Sequence, residues 1–232
     1  MPLRQWIKST NHAIEGILHA AKTERHMRYH LYAAVIVLLT SFALGISWPE
    51  FTALIILAIV VISIEMVNTA IEYITDILFK EHDPKAKEIK DIAAGAVLIT
   101  ALGAAVIGYI ILYEPMKSFF YRGLTVAKHS GADTAVIALI LVLLLVVITK
   151  SFFGRGKPLR GGMPSGHAAV SFSIWIAVTF ITESFMPSAL TFVLAVFIAQ
   201  SRVSIGAHKP VEVIAGSMLG ITVTFLLFKI FY

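Results

Sequence analysis

The chain of 232 residues contains no cysteine, which excludes disulfides and thiolate metal sites and says nothing of redox compartment. Charge is scarce as well. Asp, Glu, Lys and Arg make up 14% of residues, against about a quarter in an ordinary soluble domain. With 58% hydrophobic residues and a mean hydropathy of +0.84, a water-soluble globule is excluded. No GxxxxGK[ST] loop occurs, so no P-loop chemistry is expected. Internal repeats and low-complexity tracts are also missing. Residues up to Tyr29 carry charge throughout and lack a compact apolar core, which predicts no cleaved signal peptide. The formal charge of +5 reads as attraction to anionic headgroups rather than to nucleic acid, because so little soluble surface exists to carry it.

What is present is a succession of apolar runs: Leu31–Ser47, Phe51–Lys80, Ile92–Tyr113, Thr134–Thr149, Ala168–Thr182, Ser188–Ala199 and Val211–Phe231. A span needs about 20 helical residues to cross about 30 Å of hydrocarbon. The prediction is an all-α integral membrane protein of about seven spans. Ahead of them, Leu3, Trp6, Ile7, Ile14, Ile17, Leu18 and Ala21 share one face at helical spacing, opposite Arg4, Lys8, Glu15 and Lys22. That is the pattern of an amphipathic helix lying on the interface. The mixed connection 114–133 divides a first module, 1–113, with three spans, from a second, 134–232, with four. Lys and Arg concentrate near residues 4–28, 80–90, 150–160 and 202–209, which predicts an inside N-terminus and both polar clusters on the cytoplasmic side.

In the second run, Glu65, Asn68, Glu72 and Asp76 follow one another at spacings of three, four and four, and so lie on one helical stripe. Carboxylates crowded near a bilayer repel one another unless a cation or donor neutralises them. Oxygen ligands without His or Cys suit Mg²⁺ better than Zn²⁺. Glu24 precedes the first span, and Lys90 and Asp91 open the third, on the same expected side. Carboxylates for a metal, a Lys for phosphate and a spare carboxylate as base make a phosphoryl-transfer site. A polar seam between helices, or the solvated end of a long helix, accounts for the same stripe. His26 and His82 read as ordinary surface groups.

The string Glu65-x-x-Asn68-Thr69-Ala70-Ile71-Glu72-x-x-x-Asp76, with Lys90-Asp91-Ile92-Ala93-Ala94-Gly95 after it, resembles the small bacterial diacylglycerol/undecaprenol kinases. Lys22-Thr23-Glu24-Arg25-His26-Met27-Arg28 is most similar to the undecaprenol kinases of Gram-positive bacteria. The resemblance implies Glu65 as the base that deprotonates a lipid hydroxyl, and Glu24 and Glu72 as ligands of Mg²⁺. It also implies Asn68, Asp76, Lys90 and Asp91 as contacts to ATP, and a homotrimer.

The second module carries Lys150 and Lys157-Pro158, then Pro164-Ser165-Gly166-His167 opening a helix, then Ser201-Arg202, His208 and Glu212. Cations with Ser and Gly amides at a helix start form an anion site. Two histidines supply a nucleophile and an acid, and a carboxylate four residues after His208 shares its helical face. Gly216-x-x-x-Gly220 reads as helix packing.

In this order the three motifs resemble the type 2 phosphatidic-acid phosphatases. The resemblance implies attack by His208 on phosphorus to form a phosphohistidine, orientation by Glu212, and protonation of the leaving oxygen by His167. Lys150, Lys157, Ser165, Gly166 and Arg202 would hold the phosphate, with no cofactor. Lys157 stands where that family has Arg, and Glu212 where it has Asp.

The expected protein is a bifunctional enzyme of a bacterial inner membrane that makes undecaprenyl phosphate. It would phosphorylate undecaprenol with Mg²⁺ and ATP, and dephosphorylate undecaprenyl diphosphate. The alternative is a diacylglycerol kinase joined to a phosphatase for phosphatidylglycerophosphate or another lipid phosphate. From other classes, a transporter or channel predicts broken helices or paired repeats, and a scaffold predicts inactivity.

Overall fold

A computed structural model describes residues 2–79, 83–122, 126–153 and 162–232. It is 89% helical, with no strand among the described residues. The expected all-α membrane architecture is therefore present. Among the described residues, six helices are long and apolar enough to cross a bilayer, and a seventh apolar helix has 17 residues. The chain forms two compact units, one of residues 23–127 and one of residues 1–22 with 128–232.

The 23–127 unit contains α2 (Arg25–Leu44), α3 (Trp48–Leu78) and α4 (Pro84–Arg122). Gly45 ends α2 at φ 64°, a left-handed conformation that a Cβ disfavours. Two residues on, the Ser47 amide and hydroxyl donate to Glu50 at 3.0 and 2.6 Å and start α3. This tight reversal sets α2 against α3. α3 has 31 residues, about 46 Å of helix, so it is longer than the hydrocarbon layer. Glu65 lies about 26 Å from Trp48 along it, and the Asn68–Asp76 segment emerges beyond.

α4 extends well past the expected apolar run at both ends. Hydropathy shows only the part of a helix that lipid covers. The flanking Lys, Glu and Ala residues are good helix formers and continue the hydrogen-bond ladder into water. Pro115, which falls in the connection expected over 114–133, lies inside α4 instead, near its polar end, where Lys117 and Glu114 pair at 3.3 Å. Isolated apolar exposure is common here, as at Ile99, Leu102 and Ile59. Such faces suit lipid or another protein surface.

The other unit contains α1 (Pro2–Thr23, its last residue belonging to the first unit), α5 (Gly131–Phe153), α6 (Gly166–Thr182), α7 (Phe185–Ser204) and α8 (Pro210–Phe231). α1 is the amphipathic helix expected, with Trp6 exposed and Leu18 and Ala21 buried. α6 packs on α5, α7 and α8. Ala168, Phe172, Ala195, Ala199 and Val213 form one apolar cluster; Val142, Val146 and Ala169 form another. The contact between α6 and α8 is so close that a Cβ on Gly216 or Gly220 would collide with the carbonyls of Ser165 and Ala169. Deeper in, Ser173 and Thr224 share a buried hydrogen bond of 2.7 Å, satisfying both hydroxyls.

Candidate active sites

In the 23–127 unit, burial falls along the acidic stripe. Glu65 is 3% exposed and Asn68 9%, Glu72 is half-buried, and Asp76 is exposed. The Asn68 amide donates to Glu72 at 2.9 Å, while its Oδ1 is buried without a partner. Glu72, Glu24 and His26 all act electrostatically on Glu65. Lys90, from the start of α4, pairs with Asp76. Asp91, next to it, is exposed. Tyr73 OH and Thr23 Oγ1 lie 3.1 Å apart, joining α3 to the residue before Glu24.

The helix ends thus bring Glu24, Asn68 and Glu72 near Glu65 and set Lys90 against Asp76 farther along the stripe, while Asp91 is exposed beside Lys90 with no contact to the others among those described. Among the described residues, no three His, Cys, Asp or Glu side chains converge as a metal site. Glu24, Glu72 and the unpartnered Asn68 amide oxygen offer oxygen donors beside Glu65. Mg²⁺ commonly takes only one or two carboxylates and completes its shell with phosphate and water, so the set fits that ion.

Sequence reasoning missed one residue here. His30, on α2, places Nε2 3.9 Å from Glu65 Oε2, although 35 positions separate the two residues. The available signal was a titratable side chain one helical turn after His26, at the edge of an apolar run.

The second site forms where α5 and α7 end and α6 and α8 begin. His208 Nδ1 lies 2.9 Å from Glu212 Oε2, with the imidazole almost wholly buried. The Lys209 amide donates to the same oxygen at 3.1 Å, which closes the first turn of α8. Glu212 Oε1 accepts the Gly162 amide at 3.1 Å, and the Glu212 carbonyl accepts the Ser165 amide at 2.8 Å. The Arg202 carbonyl accepts the amides of Ala207 and His208 at 3.0 Å, which folds the α7–α8 turn back beneath the ring.

Burial pushes His208 below the ordinary histidine range, as do Lys150 and Arg202 nearby; the hydrogen bond and charge of Glu212 pull the other way. A neutral ring whose Nδ1–H donates to Glu212 leaves a lone pair on Nε2. His167, at the start of α6, lies within electrostatic reach of Arg202, His208 and Lys150. Ser165 Oγ and Arg202 Nε are buried with no partner. Two unpartnered donors, with Lys150 buried and close enough to act on His208, make a set suited to an anion. Gly166 opens α6 between them. Lys157, expected to hold phosphate, lies outside the described residues.

Fold and sites define an all-α membrane protein with two separate sets of groups suited to phosphate. Comparison with known proteins makes that specific. Residues 11–112 match the prokaryotic diacylglycerol kinases and residues 100–232 the PAP2 superfamily; the chain belongs to both. It is 39% identical over 109 residues to an undecaprenol kinase of Bacillus subtilis, covering 47% of this chain and 89% of that one. A diacylglycerol kinase of Synechocystis is 32% identical over 47% of this chain and 63% of its own length. One from Haemophilus influenzae is 28% identical over 42% and 82%. No solved structure matches the chain. The protein is a fused lipid kinase and lipid phosphatase, and its kinase family implies ATP-dependent phosphotransfer.

Proposed function

We propose that this chain produces undecaprenyl phosphate by two routes, phosphorylating undecaprenol and removing a phosphate from undecaprenyl diphosphate. The fusion itself carries the reading. A kinase and a phosphatase acting on one glycerolipid pool would cancel each other, whereas these two conversions end on the same product. The similarity to an undecaprenol kinase points the same way.

In the kinase site, Glu65 takes the proton of the lipid hydroxyl, and Asn68, Asp76, Lys90 and Asp91 orient ATP. Glu24 and Glu72 would hold Mg²⁺, which would offset the charge on the phosphates. In the phosphatase site, His208 Nε2 attacks phosphorus while the bond to the leaving oxygen breaks, and His167 gives that oxygen its proton. Lys150, Lys157, Arg202 and the Ser165–Gly166 segment, through the Ser165 hydroxyl and the Gly166 amide, hold the phosphoryl oxygens. Water then cleaves the phosphohistidine. No cofactor is assigned to this half.

The enzyme lies in a bacterial inner membrane with both sites facing the cytoplasm. The charge pattern supports this, as does helix parity: α4 crosses outward and α5 returns, so the ends bearing Lys150, His167 and His208 come back to the side of Glu24 and Lys90. A homotrimer agrees with the family resemblance. It also agrees with α4, whose apolar stretch is essentially unburied within one chain.

Thin-layer analysis of the purified protein decides the substrate. Mg-ATP with undecaprenol, then undecaprenyl diphosphate alone, should each yield undecaprenyl phosphate. Turnover of diacylglycerol and phosphatidylglycerophosphate in their place would overturn the reading. Glu65→Gln should abolish only the first conversion, and His208→Ala only the second. Because the chain has no cysteine, Lys209→Cys and Thr182→Cys give clean labelling probes. Lys209→Cys should react from inside and Thr182→Cys from outside; the reverse pattern overturns the sidedness.

A further inference from the structure

We propose that His30 is a second substrate-contacting residue of the kinase site. Its Nε2 and the Glu65 carboxylate bracket the hydroxyl of a lipid alcohol whose tail lies between α2, α3 and α4. The inference rests on the lipid-kinase reading above and on Glu65 as its base.

The separation of 3.9 Å between His30 Nε2 and Glu65 Oε2 is too long for a direct hydrogen bond. It suits a single inserted oxygen, which at about 2.8 Å from each atom completes two hydrogen bonds. Glu65 is almost wholly shielded from solvent, at 4% exposed, and His30 largely so, at 21%. Glu24, Glu72 and His26 are the other charged or titratable groups acting on the pair.

His30 also lines the end of a cavity of about 980 Å³. Its wall is otherwise mainly apolar, with Val37, Leu54, Leu57 and Ala104. On α2 the lining runs from His30 to Leu44, about 21 Å of helix. That length and apolarity suit an extended hydrocarbon tail. A tail laid along the cavity brings its terminal hydroxyl to His30 at the cavity's end, and the Glu65 carboxylate stands 3.9 Å from that imidazole.

With Nε2–H donating to one lone pair of the hydroxyl oxygen, the O–H points at Glu65. Its proton passes to that carboxylate and the oxygen forms the bond to the γ-phosphorus. The phosphoanhydride bond breaks with its electron pair leaving on the nucleoside diphosphate. His30 therefore orients the acceptor, and Glu65 removes the proton.

The test uses the full-length protein in mixed micelles with undecaprenol and with a short polyprenol, geraniol. His30→Leu should raise the KM for both alcohols about tenfold or more, as for one lost hydrogen bond, with the KM for ATP unchanged. His30→Gln, which keeps an N–H donor, should stay within a few-fold of the parent. Ala104→Phe, which narrows the cavity, should impair undecaprenol more than geraniol. Unchanged kinetics in His30→Leu, or an equal rise in the KM for ATP with a lowered Tm, overturns the assignment. A changed oligomeric state in Ala104→Phe with no selectivity by tail length means that another copy of the chain fills the cavity, and overturns the tail placement. Glu65→Gln separates the two levels. If it remains fully active the kinase reading fails, and if it is inactive while His30→Leu is normal, only the role of His30 fails.

Discussion

One carboxylate of Glu212 accepts from His208 Nδ1 at 2.9 Å through Oε2 and from the Gly162 amide at 3.1 Å through Oε1. The carboxylate proposed to orient His208 therefore also holds the segment leading into Ser165 and His167. Glu212→Gln should cut the phosphatase kcat roughly 10²- to 10⁴-fold, the usual scale for a disrupted acid–base unit. Its pH profile should move as well. Attack requires neutral His208, which burial already holds below the ordinary range, while the negative charge of Glu212 opposes that shift. Removing the charge lowers the pKa of His208 further, so the acidic limb of kcat/KM should move to lower pH. A limb moving to higher pH would refute this assignment.

The unpartnered Ser165 hydroxyl predicts a trade between stability and activity. A buried hydroxyl without a hydrogen bond costs about 1 to 3 kcal/mol. Ser165→Ala should therefore raise Tm in detergent while raising the KM for the phosphate substrate. A fall in both Tm and activity would show that the hydroxyl serves structure instead.

Gly216→Ala tests the approach of α8 to the start of α6. The added methyl meets the Ser165 carbonyl, a backbone atom that cannot rotate away. Overpacking of this kind costs about 1 to 3 kcal/mol. Tm should fall, and phosphatase activity should drop more than tenfold (a rough threshold set by a shift of a few tenths of an ångström or more at the reacting groups). Kinase activity, measured in the same preparation, should change much less.

The Asp76–Lys90 pair is largely exposed, with Asp76 at 64%. Such pairs contribute about 0–1 kcal/mol to stability. Lys90→Met should leave Tm nearly unchanged and raise the KM for ATP. A large loss of Tm with ATP kinetics intact would make the pair a structural clamp.

Spacing along one helix was readable from the sequence, and proximity between helices was not. Glu65, Asn68, Glu72 and Asp76 announce themselves because three- and four-residue steps return to one helical face. His30 does not, because its meeting with Glu65 depends on how α2 packs on α3 and no local pattern encodes that. Glu212 and Gly162 are similarly separated by 50 positions. The membrane-spanning class followed directly from composition, yet the length of α4 did not. Its charged ends are helical for reasons of propensity, which hydropathy does not register. Pro115 misled for a related reason, since a proline near the wet end of a helix can be accommodated where one in mid-membrane would be costlier.

α6, with 17 residues, measures about 25 Å, roughly 5 Å less than a typical hydrocarbon layer. A bilayer meets a short helix by thinning beside it. Thinning beside α6 would draw lipid headgroups toward His167 at its start, the end where the proposed phosphatase site lies. A lipid phosphate would then meet the proposed site without being lifted out of the leaflet, and membranes of greater thickness should make that descent harder.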